Sequence, residues 1–244
     1  MTCLTTWLYL ATLLLLPLLS PPVQAGAGSA LVEGTDGNGR RSRTQVEYDG
    51  RGALRMGART QPDQYLLFRS GKTYGITRQS GLPIVVELGS NLSSIAPLAE
   101  RMGASLPLAG SRIRALGELS DTGRTESVAG LQGRIHELQY TDDQGRAHTD
   151  TLVVTTDARA HALSKALYLM GRALARANGV LPQGSERLEG EILGRGLGVL
   201  RFGAQFRVAA FDGSEPAASR FTLPAQPMQL PDFGSMMPGA PRGK

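Results

Sequence analysis

The chain has three histidines, His136, His148 and His161. Imidazole is both a metal ligand and a general base, so these side chains are candidates for a functional site. No two of them have the spacing of about three to five residues that is common among helical zinc ligands. His136 and His148 would face each other on the two arms of a hairpin, and Asp150 or Asp157 would then complete a metal site. Ordinary surface histidines are the favoured interpretation, so we predict no metal site.

Two glycine-containing segments imitate nucleotide-binding motifs. Ser70-Gly71-Lys72-Thr73 ends like a phosphate-binding loop, but Leu66 stands where that loop requires its first glycine. The glycines at 194, 196 and 198 resemble a dinucleotide fingerprint, but its third glycine would have to replace Val199. We therefore predict a strand-connecting turn for the first segment, glycines that relieve crowding in a sheet for the second, and no cofactor.

Two pairs of acidic residues, Asp142 with Asp143 and Glu186 with Glu189, have the chemistry of acid–base catalysis. The first pair stands in a turn sequence and the second at the entry of a predicted strand, so local structure explains both. The chain has no Gly-x-Ser-x-Gly nucleophile elbow. We predict no catalytic residues and a non-enzymatic protein, and a hydrolase with an unfamiliar triad remains an alternative.

The N-terminal sequence resembles a cleavable signal peptide. An apolar stretch runs from Trp7 to Leu19, and Pro21-Pro22 and then Val23-Gln24-Ala25 follow it. Residues 1–25 contain no Lys or Arg, which is atypical of a signal peptide. The stretch is shorter than the ~20 apolar residues that span a bilayer. We expect cleavage after Ala25, a mature protein without a transmembrane segment, and a periplasmic location.

Composition limits the chemistry of the mature chain. Cys3 is the only cysteine and precedes the expected cleavage site, so we expect no disulfide, thiol nucleophile or thiolate metal site. The net charge is +5, and the arginines are scattered along the chain. Export would leave anionic envelope components instead of nucleic acid as partners for this charge, but scattered arginines are more typical of an ordinary solvated surface than of a specific anionic site. We predict a lipid or another envelope component as partner, no nucleic acid, and a monomer.

Biased composition divides the chain into segments. Residues 26–43 are rich in Gly, Ala and Ser and end in a cluster of arginines, which predicts a flexible linker. Residues 44–224 hold the periodic segments and are predicted to form a single domain. Residues 225–244 contain Pro, Met and Gly without periodicity and are predicted to be a disordered tail.

Alternating apolar residues and turn residues predict an antiparallel sheet. The clearest hairpin joins 134–140 to 147–155 through the turn sequence Asp142-Asp143-Gln144-Gly145. The other predicted strands are 44–48, 53–58, 65–69, 72–78, 83–88, 188–193, 199–202, 205–210 and 220–223.

Two segments have helical periodicity. Thr156 or Asp157 is expected to cap a long helix that ends near Asn178. Its apolar stripe consists of Leu163, Ala166, Leu167, Met170, Leu174 and Ala177. A shorter helix is predicted over 91–102, with Pro97 limiting its length. The whole pattern indicates an α+β fold, an antiparallel sheet packed on one long and one short helix.

The segment Gly-Arg-Thr-Glu-Ser-Val-Ala-Gly-Leu-Gln-Gly-Arg-Ile-His-Glu-Leu, residues 123–138, resembles the central signature of an uncharacterised family of periplasmic bacterial proteins. The resemblance continues through Leu200-Arg201-Phe202-Gly203 and Phe221-Thr222-Leu223-Pro224 and covers roughly residues 44–224. The order of strands and helices is more distantly similar to the lipoprotein carrier LolA and the mycobacterial lipid-carrier lipoproteins. This similarity implies a curved antiparallel half-barrel whose concave face holds acyl chains, and it implies no catalytic residues.

Two hypotheses of function follow. The first is an exported non-enzymatic protein that binds a lipid or another apolar ligand in the concave face of a half-barrel. The second is an envelope scaffold or protein-interaction module that has a packed core and acts through its surface and its tail. Apolar stripes line packed cores more often than ligand cavities, so the second hypothesis stays open beside the first.

Overall fold

A computed structural model of the 244-residue chain describes residues 26–35, 39, 41–88, 113–142, 144–177 and 183–228. These residues form two α-helices and one open antiparallel sheet of eleven strands, which confirms the predicted antiparallel sheet and the predicted long helix. The strands are β1 (Ala27–Thr35), β2 (Arg41–Asp49), β3 (Leu54–Gly57), β4 (Tyr65–Arg69), β5 (Lys72–Gln79), β6 (Leu82–Glu87), β7 (Ile113–Val128), β8 (Leu131–Asp142), β9 (Ala147–Thr155), β10 (Gly198–Phe202) and β11 (Phe206–Asp212). The helices are α1 (Ala158–Ala177) and α2 (Gln183–Ile192), and shorter 3-10 helices span Leu193–Arg195 and Ala218–Phe221.

The sheet consists of two meanders that meet in its centre. The spatial order is β6-β5-β4-β3-β2-β1-β11-β10-β9-β8-β7. The chain therefore runs from the central strand β1 to the edge strand β6, and it resumes at the opposite edge with β7 before returning to pair β11 with β1. Met228 donates its backbone N–H to the carbonyl of Val85 at 2.7 Å, so the C-terminal segment covers part of the β6 edge.

The two faces of the sheet carry separate apolar clusters. Leu66 and Phe68 of β4 join the cluster that helix α1 covers, whereas Leu67 between them points to the opposite side. We call these sides the inner and the outer face. On the outer face Leu67 packs with Phe221 of the C-terminal segment. The inner cluster contains, among others, Val32, Val46, Tyr48, Leu138, Leu152, Phe202 and Val208.

Helix α1 crosses the inner face, and its capping agrees with the predicted helix. Asp157 Oδ1 accepts the backbone N–H of Arg159 at 2.9 Å, which caps the first turn. The helix contacts strands from β10 to β5, which are six positions apart in the sheet and hence about 29 Å apart at ordinary strand spacing. A helix of 20 residues is about 30 Å long. One helix therefore reaches across the middle of the sheet.

The prediction of a flexible linker over 26–43 is wrong, because 27–35 form the central strand β1 and 41–43 begin β2. The small residues of this segment meet steric needs. A Cβ on Gly26 would lie 2.7 Å from the Cβ of Ala162 in α1, and one on Gly28 would lie 3.0 Å from the Tyr48 hydroxyl. Small residues here allow close packing in the core and do not indicate solvation.

Two predicted strands contain helical residues, and β7 joins β1 as a strand that the sequence does not predict. Residues 188–193 lie in α2 and the 3-10 helix after it, because Leu188 and Ile192 pack on the inner cluster as an i, i+4 pair. Residues 220–223, predicted as a strand, include the end of the 3-10 helix that brings Phe221 to the outer face. Residues 113–128, for which the sequence pattern predicts no element, form β7.

The remaining predicted strands agree with the structure in type and position, and 65–69 and 147–155 agree at both ends. Residues 225–228, predicted as part of a disordered tail, include Met228 beside β6. The signal peptide over 1–25, the short helix over 91–102 and the tail from 229 onward lie outside the described residues. In the described part of the chain, neither helix combines the length and apolar character needed to cross a membrane.

Candidate functional site

A half-open cleft at one end of the sheet, which we call the rim cleft, is the candidate ligand site. It has a volume of about 570 Å³, within the range of small-molecule sites. It lies between the β2–β3 loop, the β4–β5 turn, helix α1 and the C-terminal segment. Its lining residues are Asp49, Arg51, Gly52, Ala53, Phe68, Arg69, Ser70, Gly71, Leu169, Glu215, Pro216, Ala218, Phe221 and Thr222.

The apolar lining of the rim cleft is continuous with both hydrophobic clusters. Phe68 belongs to the inner cluster and Leu169 of α1 packs against that cluster, whereas Phe221 belongs to the outer cluster. Gly52 has φ +109°, and a Cβ at this position would approach Leu169 Cδ1 to 3.0 Å. The loop therefore needs glycine to close beside Leu169.

Charged groups of both signs surround the rim cleft. Asp49 Oδ1 accepts the backbone N–H groups of Arg51 and Ala53 at 2.8 and 2.9 Å, which shapes the β2–β3 loop. Arg69 Nη1 donates to the carbonyl oxygen of Phe221 at 3.1 Å and holds the C-terminal segment on the sheet. The cleft thus combines an apolar lining with a polar border, an arrangement suited to an amphipathic ligand.

A second half-open cleft, the outer cleft, lies on the outer face and has a volume of about 430 Å³. Glu47 stands at one end of it, where Arg55 Nη1 and Arg220 Nη2 donate to its carboxylate at 3.1 and 2.6 Å. The guanidinium of Arg55 also stacks 3.9 Å from the ring centroid of Tyr65. The lining residues are Ser29, Leu31, Gln45, Glu47, Arg55, Gly57, Ala58, Arg59, Gln61, Pro62, Gln64, Tyr65, Ala210, Phe211, Asp212, Ser214, Pro216 and Arg220.

The histidines do not assemble into a metal site. His148 lies opposite Tyr140 in the β8–β9 hairpin, whereas His136 lies opposite Leu152. Four residues along β8 separate the two positions, about 13 Å at the rise of a strand. His148 Nε2 lies 2.8 Å from Asp142 Oδ2.

Asp150, Asp157 and His161 each have other partners. Asp150 Oδ2 accepts the hydroxyl hydrogen of Tyr140 at 2.8 Å. Burial and this carboxylate together raise the pKa of Tyr140 to about 12. Asp157 caps α1, and His161 Nδ1 lies 3.0 Å from the carbonyl oxygen of Leu197. Within the described ranges, no group of three or more His, Cys, Asp or Glu side chains is arranged to hold a metal ion.

The segments that imitate nucleotide-binding motifs have structural roles. Ser70 and Gly71 have φ of 51° and 76° and form a two-residue turn between β4 and β5, as predicted. The prediction that the glycines at 194, 196 and 198 relieve crowding in a sheet is wrong for the first two, because Gly194 lies in a 3-10 helix and Gly196, with φ 71°, ends it. A Cβ on Gly198 would collide with the backbone of Ala160 and His161, so this glycine allows α1 to pack on β10.

The acidic pairs also have local roles. Asp142 accepts hydrogen bonds within the β8–β9 turn, and Asp143 lies outside the described residues. Glu186 and Glu189 lie on α2, and Glu189 is 3.9 Å from Arg172 of α1. Burial and the Glu189 carboxylate raise the pKa of Tyr168 to about 12. These acids support a turn and a contact between helices.

Sequence reasoning missed both clefts because their residues come from distant parts of the chain. Glu47 and Arg220, for example, are 173 residues apart. A local pattern contains no signal for such a pair, although Gly52 and the turn at 70–71 mark the loops that border the rim cleft.

The chain has no match among protein-family models, curated proteins or solved structures. The resemblance to a periplasmic family and the more distant similarity to LolA therefore remain predictions.

Proposed function

We propose that the protein is an exported, non-enzymatic protein of the bacterial periplasm that binds a lipid or another apolar ligand in a LolA-like half-barrel. The observation that carries this proposal is the rim cleft, where Phe68 and Leu169 extend the inner apolar cluster to a half-open surface. The signal-peptide features of residues 1–25 support export. The contacts of Asp142 with its own turn and with His148, and of Glu189 with Arg172, are structural and support a non-enzymatic function.

The position of α1 supports an apolar ligand at the rim cleft. Eleven strands at about 4.8 Å spacing make a sheet roughly 48 Å wide, and α1 crosses about 29 Å of this width, from β10 to β5. Its Leu169 side chain lines the rim cleft. An acyl chain that entered beside Leu169 would gain about 0.8 kcal/mol for each CH₂ group that it buried.

The border of the rim cleft favours an amphipathic molecule over a plain hydrocarbon. Arg51 and Arg69 carry positive charges, and Asp49 and Glu215 carry negative charges there. A polar head group would remain at this hydrated border while its acyl chain entered between Phe68 and Leu169. Binding would thus satisfy the polar and the apolar ends of one ligand at the same time.

The test is to fill the rim cleft without removing a core contact. Ala218 is exposed and lines the cleft, whereas its exposed neighbour Ala217 does not line it. We expect Ala218→Trp to weaken the binding of a fatty acid that carries an anthroyloxy fluorophore by roughly tenfold, a difference of ~1.4 kcal/mol. Ala217→Trp is the matched control and should bind like the wild-type protein.

Two results of this titration would contradict the proposal. One is an absence of saturable fatty-acid binding by the wild-type protein. The other is equal affinity in the wild-type protein and both tryptophan variants, which would mean that the ligand does not use the rim cleft. Circular dichroism of each variant verifies that the comparison is made between folded proteins.

A surface-interaction module is the second candidate, and one observation favours it. Leu82 and Met228 are large apolar side chains that are 70 % and 56 % exposed, and both stand beside the β6 edge. Leu82 begins β6 and Met228 pairs with Val86 further along the same strand, so both apolar groups lie at one edge of the sheet, where partner chains can dock. If the wild-type protein binds no lipid, replacement of Leu82 by Ser should abolish capture of an envelope partner.

A further inference from the structure

The outer cleft lies on the outer face and differs from the rim cleft in all of its charged lining residues. Its floor includes Ser29, Gln45 and Ala210 on strands β1, β2 and β11. One wall is the β3–β4 loop, and the other is the C-terminal segment with Arg220. A ligand in this cleft would lie on the side of the sheet opposite α1, and its arginines do not line the rim cleft, with which the outer cleft shares Pro216.

Donors exceed acceptors in the outer cleft. Each guanidinium has five N–H donors. Arg55 and Arg220 use three of theirs on Glu47 and one on the carbonyl oxygen of Pro62. Arg59 makes no hydrogen bond or ion pair with any residue that the structure describes. Several N–H groups therefore remain for an external acceptor.

The charges of the outer cleft also indicate an anionic ligand. Arg55, Arg59 and Arg220 stand against two carboxylates, Glu47 and Asp212. Arg55 and Glu47 are only 12 % and 14 % exposed, so their pairing is fixed and largely shielded from water. The backbone and side chain of Ser214 both donate to Asp212 Oδ1, at 3.1 and 3.0 Å. These hydrogen bonds and the charge of Arg59 lower the pKa of Asp212, so the carboxylate is ionised and Arg59 keeps its N–H donors for a ligand.

We propose that the outer cleft binds the oxyanion, phosphate or carboxylate, of a small polar molecule. Arginine guanidinium groups recognise both oxyanions through paired, charge-assisted hydrogen bonds. Arg59 supplies the main new contact and Arg220 adds an exposed guanidinium beside it. Gln45, Gln61 and Gln64 line the same cleft and offer amide donors and acceptors for hydroxyl groups on the rest of the ligand.

The test uses the full mature chain and soluble probes. Glucose 6-phosphate and glucuronate each carry an oxyanion on a sugar, and glucose lacks the oxyanion. We expect either anion to shift the backbone amide signals of residues 57–65 saturably in ¹H–¹⁵N NMR spectra at constant ionic strength. Glucose should cause no comparable shift.

Arg59→Gln supplies the decisive variant because Arg59 is exposed and the variant should fold normally. We expect it to weaken binding of the anionic sugars by roughly tenfold, the typical effect of losing a charge-assisted hydrogen bond. Arg124→Gln is the matched control, since Arg124 is also exposed but lies on β7. Its affinity should equal that of the wild-type protein.

Three results would overturn the proposal: no saturable shift with either anion up to about 10 mM, equal affinity in wild-type and Arg59→Gln proteins, or equal loss in Arg124→Gln. A further arm uses phosphatidylglycerol vesicles with phosphatidylcholine vesicles as control. If only phosphatidylglycerol vesicles cause shifts, the cleft binds a lipid head group and not a soluble molecule, and this result would also refute the proposal.

Discussion

Asp142 fixes the turn between β8 and β9 through several hydrogen bonds. Its Oδ1 accepts the backbone N–H groups of Gln144 and Arg146 at 2.9 and 2.8 Å, and its Oδ2 accepts Arg146 Nε at 2.8 Å. Burial disfavours the charged carboxylate, but hydrogen bonds from His148 and Arg146 and the Arg146 charge outweigh it. The pKa of Asp142 is therefore held well below its usual range.

This lowered pKa predicts how stability depends on pH. Ionised Asp142 stabilises the fold above the ordinary aspartate pKa of about 3.9, and this contribution is lost as the pH falls from there toward the lowered folded-state value. We expect Asp142→Asn to lower the melting temperature at pH 7, and the deficit relative to wild type should shrink below about pH 4. Thermal unfolding by circular dichroism between pH 7 and pH 2.5 measures both effects.

Asp63→Asn is the matched control for this titration, because the Asp63 side chain is 65 % exposed and pairs with the exposed Arg78. Its melting temperature should follow that of the wild-type protein at every pH. A deficit of Asp142→Asn that stays constant down to pH 2.5 would show that ionisation of Asp142 is not what stabilises the turn.

Ala129 occupies a strained turn between β7 and β8. Ala129 and Gly130 have φ of 52° and 79°, as in a two-residue type I′ hairpin turn. A left-handed conformation costs an L-residue roughly 1–2 kcal/mol, and glycine avoids this cost. We expect Ala129→Gly to raise the free energy of unfolding by about 1 kcal/mol, as measured by urea denaturation.

The control for this prediction is Ala147→Gly, at an exposed strand position. There the substitution should lower the free energy of unfolding by about 0.5–1 kcal/mol, because glycine loses more backbone entropy on folding. If both substitutions destabilise the protein, the packing contacts of the Ala129 side chain stabilise the fold by more than its backbone strain costs.

At the scale of elements, the close approach of α1 to β10 depends on Gly198. A Cβ here would collide with the backbone of the first turn of the helix. Backbone atoms cannot move aside by a side-chain rotation. We expect Gly198→Ala to lower the free energy of unfolding by at least about 2 kcal/mol. Gly194→Ala should change it by less than about 0.5 kcal/mol, because no atom lies within 4 Å of a Cβ at Gly194. Equal effects in urea denaturation would refute this packing account.

Local patterns predicted the elements whose sequence agrees with their surroundings. In strands 65–69 and 147–155, apolar residues alternate with polar ones or follow one another between turn residues, and both strands were predicted correctly. Helix α1 has a capping aspartate and a continuous apolar stripe, and it was also predicted correctly. The pattern fails where two periods coincide. In α2, Leu188 and Ile192 satisfy both a two-residue and a four-residue spacing, and contact with the inner cluster selects the helix.

The central strand β1 was mistaken for a linker for a different reason. Its glycines and Ser29 look like solvated chain in isolation, and only the crossing of α1 and the neighbours β2 and β11 make them buried. Their burial is a tertiary effect that composition does not contain. The same holds for Phe221, whose burial depends on Leu67 and Tyr74 across the outer face.

For the whole molecule, the sheet has two chemically different sides. The inner face carries α1 and the larger apolar cluster, which opens at the rim cleft beside Phe68 and Leu169. The outer face carries the C-terminal segment and the arginine-lined outer cleft. Both clefts form only when the C-terminal segment returns to strands near the start of the chain, so no part of the sequence predicts either cleft alone.

The central claim is that this protein binds an apolar ligand in the rim cleft, and the most direct measurement is its mass after purification from periplasm without detergent. We predict that native mass spectra show an additional mass that is absent from denaturing spectra and extracts as lipid. This mass should be lost in Ala218→Trp and retained in Ala217→Trp. A wild-type protein that is free of ligand, and stays so after incubation with envelope lipids, would contradict the account and favour the surface-interaction module.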